Sequence, residues 1–156
     1  SQERIEQKMA ARLKELPLDK AVRIGSGPNT VIEFTDPDNP HGRKAAQFLA
    51  GRTDVTRHVF LIVSPGSRKA EPKIRYILCA KDQAAAYAEA VAGKLDTMKF
   101  KVCDAPGPQE TLREHAMAAS HIGVRGTPFF FVNGKPVRGA NTTLIQQILE
   151  KAPEGK

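Results

Sequence analysis

The chain of 156 residues has only two thiols, Cys79 and Cys103. Two thiols can exchange disulfides, form a structural bridge or share a metal ion. Their separation is far wider than the Cys-X-X-Cys spacing of a zinc knuckle, and no third or fourth ligand lies nearby in sequence. His115 and His121 are not one helical turn apart, so they form no chelating pair. We therefore predict no metal site and no cofactor.

A second candidate for chemistry is the sequence Asn39-Pro40-His41-Gly42, which begins a predicted helix shortly after a predicted strand. Asn is a favoured N-cap residue and Pro is favoured at the first helical position, so these residues predict a well-formed helix start. An imidazole here could act as a general base or a ligand, but we interpret His41 as a solvent-facing side chain. Asp36 and Asp38 could bind a cation, although turn and capping roles fit acidic residues before a helix better.

The apolar pattern predicts alternating strands and helices around these residues. Strands are predicted over residues 21–24, 30–35, 57–63, 129–132 and 136–138, with a turn at Asn133-Gly134, and helices over residues 2–16, 40–50, 71–93 (in one or two pieces), 109–122 and 142–152. The predicted inward stripes are Ile5, Met9, Leu13 and Leu16 in the first helix and Leu112, Ala116, Ala119 and Ile122 in the fourth. Periodicity alone indicates an α/β fold in a single domain.

The composition argues against two classes of function, nucleic-acid binding and membrane insertion. The formal net charge is +7, but basic and acidic residues alternate, as at Arg4, Glu6 and Lys8, and no block of like charge is present. There is no Trp, and the Phe residues lie mainly in strand-like runs, so we predict no nucleic-acid binding. No apolar run approaches the length of about 18 residues that indicates a membrane span, so we predict no membrane insertion. No signal peptide is visible, which does not exclude export.

Two motifs together resemble the active site of a thioredoxin fold. Phe34-Thr35-Asp36 ends the second predicted strand, and Thr127-Pro128 leads into the apolar run 129–132. In both, the chain is most similar to the catalytic domain of the periplasmic disulfide isomerases DsbC and DsbG, over roughly residues 22–151. The resemblance implies an α/β thioredoxin fold with a helical insertion between its halves, preceded by an N-terminal helix. We accordingly divide the chain into an amphipathic helix or linker, residues 1–20, and a thioredoxin-like domain, residues 21–156.

The catalytic cysteines of that family are absent. Where the isomerases carry Cys-X-X-Cys, this chain has Asn39-Pro40-His41-Gly42. Disulfide exchange needs a thiolate to attack and a second thiol to resolve the mixed disulfide, so we assign no catalytic residue and predict a redox-inactive site.

The resemblance also assigns the two cysteines and the proline loop. Cys79 and Cys103 match the family's non-catalytic disulfide, and Thr127-Pro128 matches its cis-proline loop, beside which relatives bind extended substrates. We expect Thr127 and Pro128, together with Asn39 and His41, to border a binding surface.

Three functions remain open at this stage. The leading hypothesis is a redox-inactive periplasmic protein that binds an unidentified protein or peptide, as a chaperone-like module or within an envelope assembly. The competing hypothesis is an enzyme, a thiol-disulfide oxidoreductase or isomerase acting through Cys79 and Cys103. The third is an architectural domain that packs against a partner chain. The oligomeric state is left open.

Overall fold

The structure, a computed structural model, describes residues 1–151. Its helices are α1 (Gln2–Ala11), α2 (Pro40–Ala50), α3 (Ala70–Cys79), α4 (Gln83–Val91), α5 (Pro106–Ile122) and α6 (Thr142–Lys151). Its strands are β1 (Val22–Ile24), β2 (Asn29–Thr35), β3 (Val55–Leu61), β4 (Phe129–Val132) and β5 (Lys135–Arg138). Two short 3-10 turns, Leu13–Glu15 and Leu18–Lys20, connect α1 to β1.

The strands form one sheet in the order β1-β3-β2-β4-β5. Strands β2 and β3 run parallel, and every other neighbouring pair is antiparallel. Helix α2 connects the two parallel strands, while α3, α4 and α5 all lie between β3 and β4 in the chain. The helices between the two halves of the sheet are the insertion that the resemblance implies.

Helices cover both faces of the sheet, because side chains alternate between the faces along each strand. On one face Phe34, Phe60 and Phe131 pack against residues of α1 and α5, and the rings of Phe34 and Phe60 stack with centroids 5.0 Å apart. On the other face Val31 packs with residues of α2 and α6, and Leu61 with residues of α3 and α4. Because both faces are covered, β2 and β3 are buried along almost their whole length, including their polar residues.

The boundaries differ from the predicted ones where pairing or tertiary contacts decide them. Strand β3 spans Val55–Leu61, two residues earlier than predicted, because it pairs with β2 from Asn29 to Thr35 and ends where β2 ends. Helix α1 ends at Ala11 instead of residue 16, and the Arg12 guanidinium donates a hydrogen bond to the His121 carbonyl, 2.8 Å away, which holds this end of the helix against α5. The last predicted helical residue, 152, lies outside the described residues.

Two positions of the predicted apolar stripes are wrong. Ile5 is 52% exposed, and Ala116 is exposed, whereas His115 in the preceding position is buried. Its Nδ1 accepts a hydrogen bond from the Leu61 N–H at 2.9 Å, and its Nε2 lies 2.7 Å from the Lys20 carbonyl oxygen, to which it donates. Both ring nitrogens are therefore paired, and burial lowers the pKa of His115. The imidazole serves as a neutral bridge between α5, β3 and the chain before β1.

The helical insertion is closed by a disulfide between Cys79, at the end of α3, and Cys103, in the segment before α5. The Cα atoms are 5.9 Å apart, inside the usual range for a disulfide. This is the pairing that the resemblance implies. The two cysteines are the only ones in the chain, and neither is free.

We predict that this disulfide contributes to stability and not to turnover. Replacing both cysteines by Ala should lower the free energy of unfolding by about 3 kcal/mol, because a bridge across 24 residues restricts the unfolded chain. Urea unfolding of the two proteins measures the difference. The unreduced, denatured protein should show no free thiol and a mass two hydrogens below that of the reduced form. Two reactive thiols in the native protein would contradict the bridge.

Candidate functional site

The start of α2 is capped by a side-chain amide and carries no thiol. Asn39 is the N-cap residue, and its side-chain oxygen accepts hydrogen bonds from the N–H groups of His41 at 2.8 Å and Gly42 at 3.4 Å. Pro40 occupies the first turn, where its missing N–H costs nothing. The His41 side chain is exposed, whereas Asn39 is half-buried. The backbone donors that would stabilise a thiolate at a helix N-terminus are instead used by the Asn39 side chain.

Gly42 allows the start of α2 to lie directly against the end of β2. A Cβ atom at this position would lie 2.5 Å from Thr35 Oγ1 and 3.0 Å from the Asp36 carbonyl oxygen, both closer than ordinary packing permits. Gly42 itself is buried. A cysteine at position 42 therefore does not fit unless Thr35 moves.

The Asp36 carboxylate connects three loops around the helix start. It is 1% exposed; its Oδ1 accepts from the Asp38 N–H at 2.8 Å, and its Oδ2 accepts from the Ser64 N–H at 3.0 Å. The Ser64 hydroxyl in turn lies 2.9 Å from the Thr127 hydroxyl. Asp36 thus links the turn before α2 to the loop after β3, and through Ser64 to the proline loop.

A shallow groove of about 210 Å³ opens beside these loops. Its walls come from the helix start, the loop after β3, α5 and the loop before β4: Asn39, Ile62, Ser64, Pro65, Ala119, Val124, Arg125, Gly126 and Thr127. The Thr127–Pro128 peptide bond is cis, and Pro128 is buried. Of the four residues predicted to border a binding surface, Asn39 and Thr127 line this groove, while His41 and Pro128 do not.

The groove has unpaired backbone along one wall. Among the hydrogen bonds within residues 1–151, none involves the backbone N–H or C=O of Arg125, Gly126 or Thr127. Arg125 and Gly126 are exposed, and Thr127 is half-buried. Such groups can accept an added extended segment, as an open sheet edge does.

A charge cluster fixes the helix start against the helical insertion. Arg43 donates to Asp96 at 2.8 Å and to the Pro37 carbonyl at 2.9 Å, and it also pairs with Asp38 at 3.2 Å. Lys73, on α3, is almost fully buried and bonds both Asp38 and Asp96. Hydrogen bonds from Arg43 and Lys73 lower the pKa of Asp96, and the two carboxylates raise the pKa of Lys73 although its burial acts in the opposite direction. Asp38 is therefore part of an ion cluster.

A buried ion pair lies deeper in the sheet and was not predicted. Glu33 on β2 and Arg57 on β3 form two hydrogen bonds, at 2.5 and 3.1 Å, and their side chains are 1% and 4% exposed. The Arg57 guanidinium also lies 5.8 Å from the centroid of the Tyr87 ring. Burial disfavours the charge on Arg57, but the Glu33 carboxylate holds its pKa above the ordinary value. The sequence signal was a charged residue in each of two predicted strands, Glu33 inside residues 30–35 and Arg57 at the start of residues 57–63.

Neither a metal centre nor a membrane span is found in the part of the chain that the structure describes. No group of three or more His, Cys, Asp or Glu side chains in residues 1–151 is arranged to hold a metal ion. No helix in the same range is long and apolar enough to cross a membrane.

No protein-family model and no curated protein matches the sequence. Solved structures do. A disulfide interchange protein from Neisseria gonorrhoeae is 25% identical, with 85% of this chain and 97% of that chain covered and a TM-score of 0.68. The catalytic domain of ScsC from Proteus mirabilis is 18% identical over 94% of this chain and 97% of that chain, with a TM-score of 0.70.

A periplasmic thioredoxin-like protein from Salmonella enterica serovar Typhimurium is 19% identical over 92% of this chain and 95% of that chain, with a TM-score of 0.63. These likenesses confirm the predicted fold. The chain has a thioredoxin fold with a helical insertion and an N-terminal helix, and it is similar in structure to thioredoxin-like disulfide interchange proteins.

We predict that Asp36→Asn destabilises the site more than its small change in size suggests. An amide can accept only one of the two N–H groups and turns its own NH₂ toward the other, so the free energy of unfolding should fall by about 1.5–3 kcal/mol. Asp104→Asn, at an exposed position, is the matched control and should change stability by less than about 0.5 kcal/mol. Urea unfolding compares the two variants. Equal effects would show that Asp36 does not hold the loops together.

Proposed function

We propose that this chain is a redox-inactive thioredoxin-fold protein of the periplasm that binds an extended peptide or protein segment. The segment would lie in the groove between Asn39 and Thr127 and pair with the backbone of residues 125–127. The observation that carries this proposal is the unpaired backbone along that wall of the groove.

The residues at the helix start support the absence of redox chemistry. A thioredoxin-type site needs a thiolate at the helix N-terminus and a second thiol to resolve the mixed disulfide. Asn39 and Gly42 supply neither, and the Asn39 side chain already accepts from the free N–H groups of the first turn. The sulfur atoms of Cys79, at the end of α3, and Cys103, in the segment before α5, are bonded to each other, and neither belongs to the start of α2.

Peptide binding is supported by the geometry that remains. Backbone pairing requires free N–H and C=O groups, and it does not require a nucleophile. The Ser64 and Thr127 hydroxyls offer further hydrogen bonds in the groove, and Ile62 and Ala119 offer apolar contact. The similarity to disulfide interchange proteins and to a periplasmic thioredoxin-like protein supports the periplasmic location and the binding of protein substrates.

We predict that the protein does not catalyse thiol-disulfide exchange. Reduction of insulin by dithiothreitol and reactivation of scrambled ribonuclease should proceed at the rates of the buffer alone, because no thiol lies at the helix start. Turnover well above background that is lost in Cys79→Ala would instead establish the enzyme hypothesis.

A positive control for these assays restores the missing thiols. The variant with Asn39→Cys, Gly42→Cys and Thr35→Ala should form a second disulfide and gain reductase activity, with the attacking thiol more acidic than the free value of about 8.5. Thr35→Ala is included because a Cβ at position 42 would otherwise lie 2.5 Å from Thr35 Oγ1. The variant that keeps Thr35 should be less stable. A folded triple variant that forms no bridge would show that positions 39 and 42 are not a thioredoxin-type pair.

We predict that a peptide attached at position 39 protects the backbone of the proline loop. The Asn39→Cys protein is joined through a disulfide to a short uncharged peptide with one cysteine, and amide hydrogen exchange is measured. Exchange of the N–H groups of Gly126 and Thr127 should slow by roughly tenfold, because the peptide backbone covers and pairs with them.

The matched control is the same adduct on Gln47→Cys, an exposed position on the same helix. That adduct should leave exchange at Gly126 and Thr127 unchanged. If both adducts behave alike, the groove does not bind peptide, and the architectural hypothesis replaces the proposed function.

A further inference from the structure

We infer that the binding groove continues into a basic cavity beneath α1 and that the segment bound there is acidic. This inference rests on the proposed function, since it names the chemistry of the peptide. The cavity has a volume of about 530 Å³, within the usual range for ligand clefts, and lies between α1, the end of α5 and strands β4 and β5.

The cavity is lined by four cationic side chains and by no carboxylate. The cationic residues are Lys8, Arg12, Arg125 and Arg138. All four side chains are exposed. Arg138 lies 3.6 Å from the Glu6 carboxylate, with which it forms an ion pair. Arg12 donates a hydrogen bond to a backbone carbonyl. Within residues 1–151, neither Lys8 nor Arg125 forms an ion pair. The cavity therefore concentrates positive charge that elsewhere in the sequence alternates with acidic residues.

The floor of the cavity is apolar. Met9, Ile122 and Phe129 are buried beneath it, and Ile5 is half-exposed at its side. A small inorganic anion would use the cations and leave this floor uncovered. A peptide with acidic side chains around one apolar residue would use both, and it would also cover Ile5, which is otherwise an exposed apolar side chain of α1.

Arg125 connects this cavity to the groove beside the proline loop, because it lines both. Its neighbours Gly126 and Thr127 carry the unpaired backbone groups. A segment that pairs with those groups therefore passes Arg125 and enters the basic cavity within the length of a short peptide. Charge complementarity of this kind increases the association rate and selects among partners.

The experiment measures how fast Asn39→Cys captures activated peptides. Each peptide contains one cysteine joined by a disulfide to thionitrobenzoate. The thiolate introduced at position 39 attacks the peptide sulfur, the new protein–peptide disulfide forms, and thionitrobenzoate leaves with the electron pair and is followed by its colour. Two peptides carry Glu residues around a Leu, either before or after the cysteine, and each has a counterpart with Gln in place of Glu. The same reactions with Gln47→Cys show how the charge of the peptide alone changes the capture rate, and the rates at position 39 are corrected for this effect.

The corrected preference for Glu over Gln should be roughly threefold to tenfold for one of the two peptide directions, as a few exposed ion pairs would give. It should fall toward one as the salt concentration rises to about 0.5 M, because exposed charges are then screened. Lys8→Gln and Arg125→Gln should each reduce the preference. Lys101→Gln and Arg68→Gln remove the same charge from exposed positions outside the cavity and should leave it unchanged.

The experiment distinguishes a failure of the acidic specificity from a failure of the proposed function. If Glu and Gln peptides react equally with the thiol at position 39 while Gly126 and Thr127 are still protected in the adduct, peptide binding stands and the acidic specificity is overturned. The same conclusion follows if all four charge variants act alike. If the adduct gives no protection, the proposed function itself fails.

Discussion

The arrangement of the site depends on one buried carboxylate. Asp36 follows β2, and its two oxygens accept the N–H groups of Asp38 and Ser64, so the turn before α2 and the loop after β3 are fixed to the same side chain. A carboxylate that is 1% exposed has lost its hydrogen bonds to water and depends on protein donors of this kind. Ser64 also contacts Thr127 in the proline loop. Asp36 therefore positions the loop after β3, which lies between the helix start and the proline loop.

The start of α2 is stabilised by other interactions, although it lacks the thiols of a thioredoxin-type site. Asn39 satisfies two N–H groups of the first turn, and Gly42 lets the helix approach β2 more closely than a residue with a Cβ could. Arg43 and Lys73 then tie the helix to the insertion through Asp38 and Asp96. These interactions form a consistent set, in which each residue supports the same local geometry. The set explains how the helix start keeps its geometry although it carries no thiol.

Local sequence signals predicted most of the helices and strands, whereas the thioredoxin arrangement and its helical insertion were implied by the resemblance. Asn39 and Pro40 marked the first residue of α2, and the apolar run of β2 marked the central strand. The errors arose where burial of a polar group decided the structure. His115 was left out of the α5 stripe because its ring is polar, although both nitrogens are paired in the core. The partnership of Glu33 with Arg57, and of Lys73 with Asp38 and Asp96, joins residues far apart in sequence, and periodicity has no information on such pairs.

On the proposed function, recognition and catalysis would use different atoms at this site, so binding would not require the catalytic thiols. Catalysis would need sulfur atoms at positions 39 and 42, and both are absent. Backbone pairing would need only the N–H and C=O groups of residues 125–127, which form no hydrogen bond within residues 1–151. Backbone groups give little specificity, so the choice of partner has to come from neighbouring side chains. Arg125 and Lys8 line the adjoining cavity without an ion-pair partner in the described chain, and on our proposal their positive charge would favour acidic peptides.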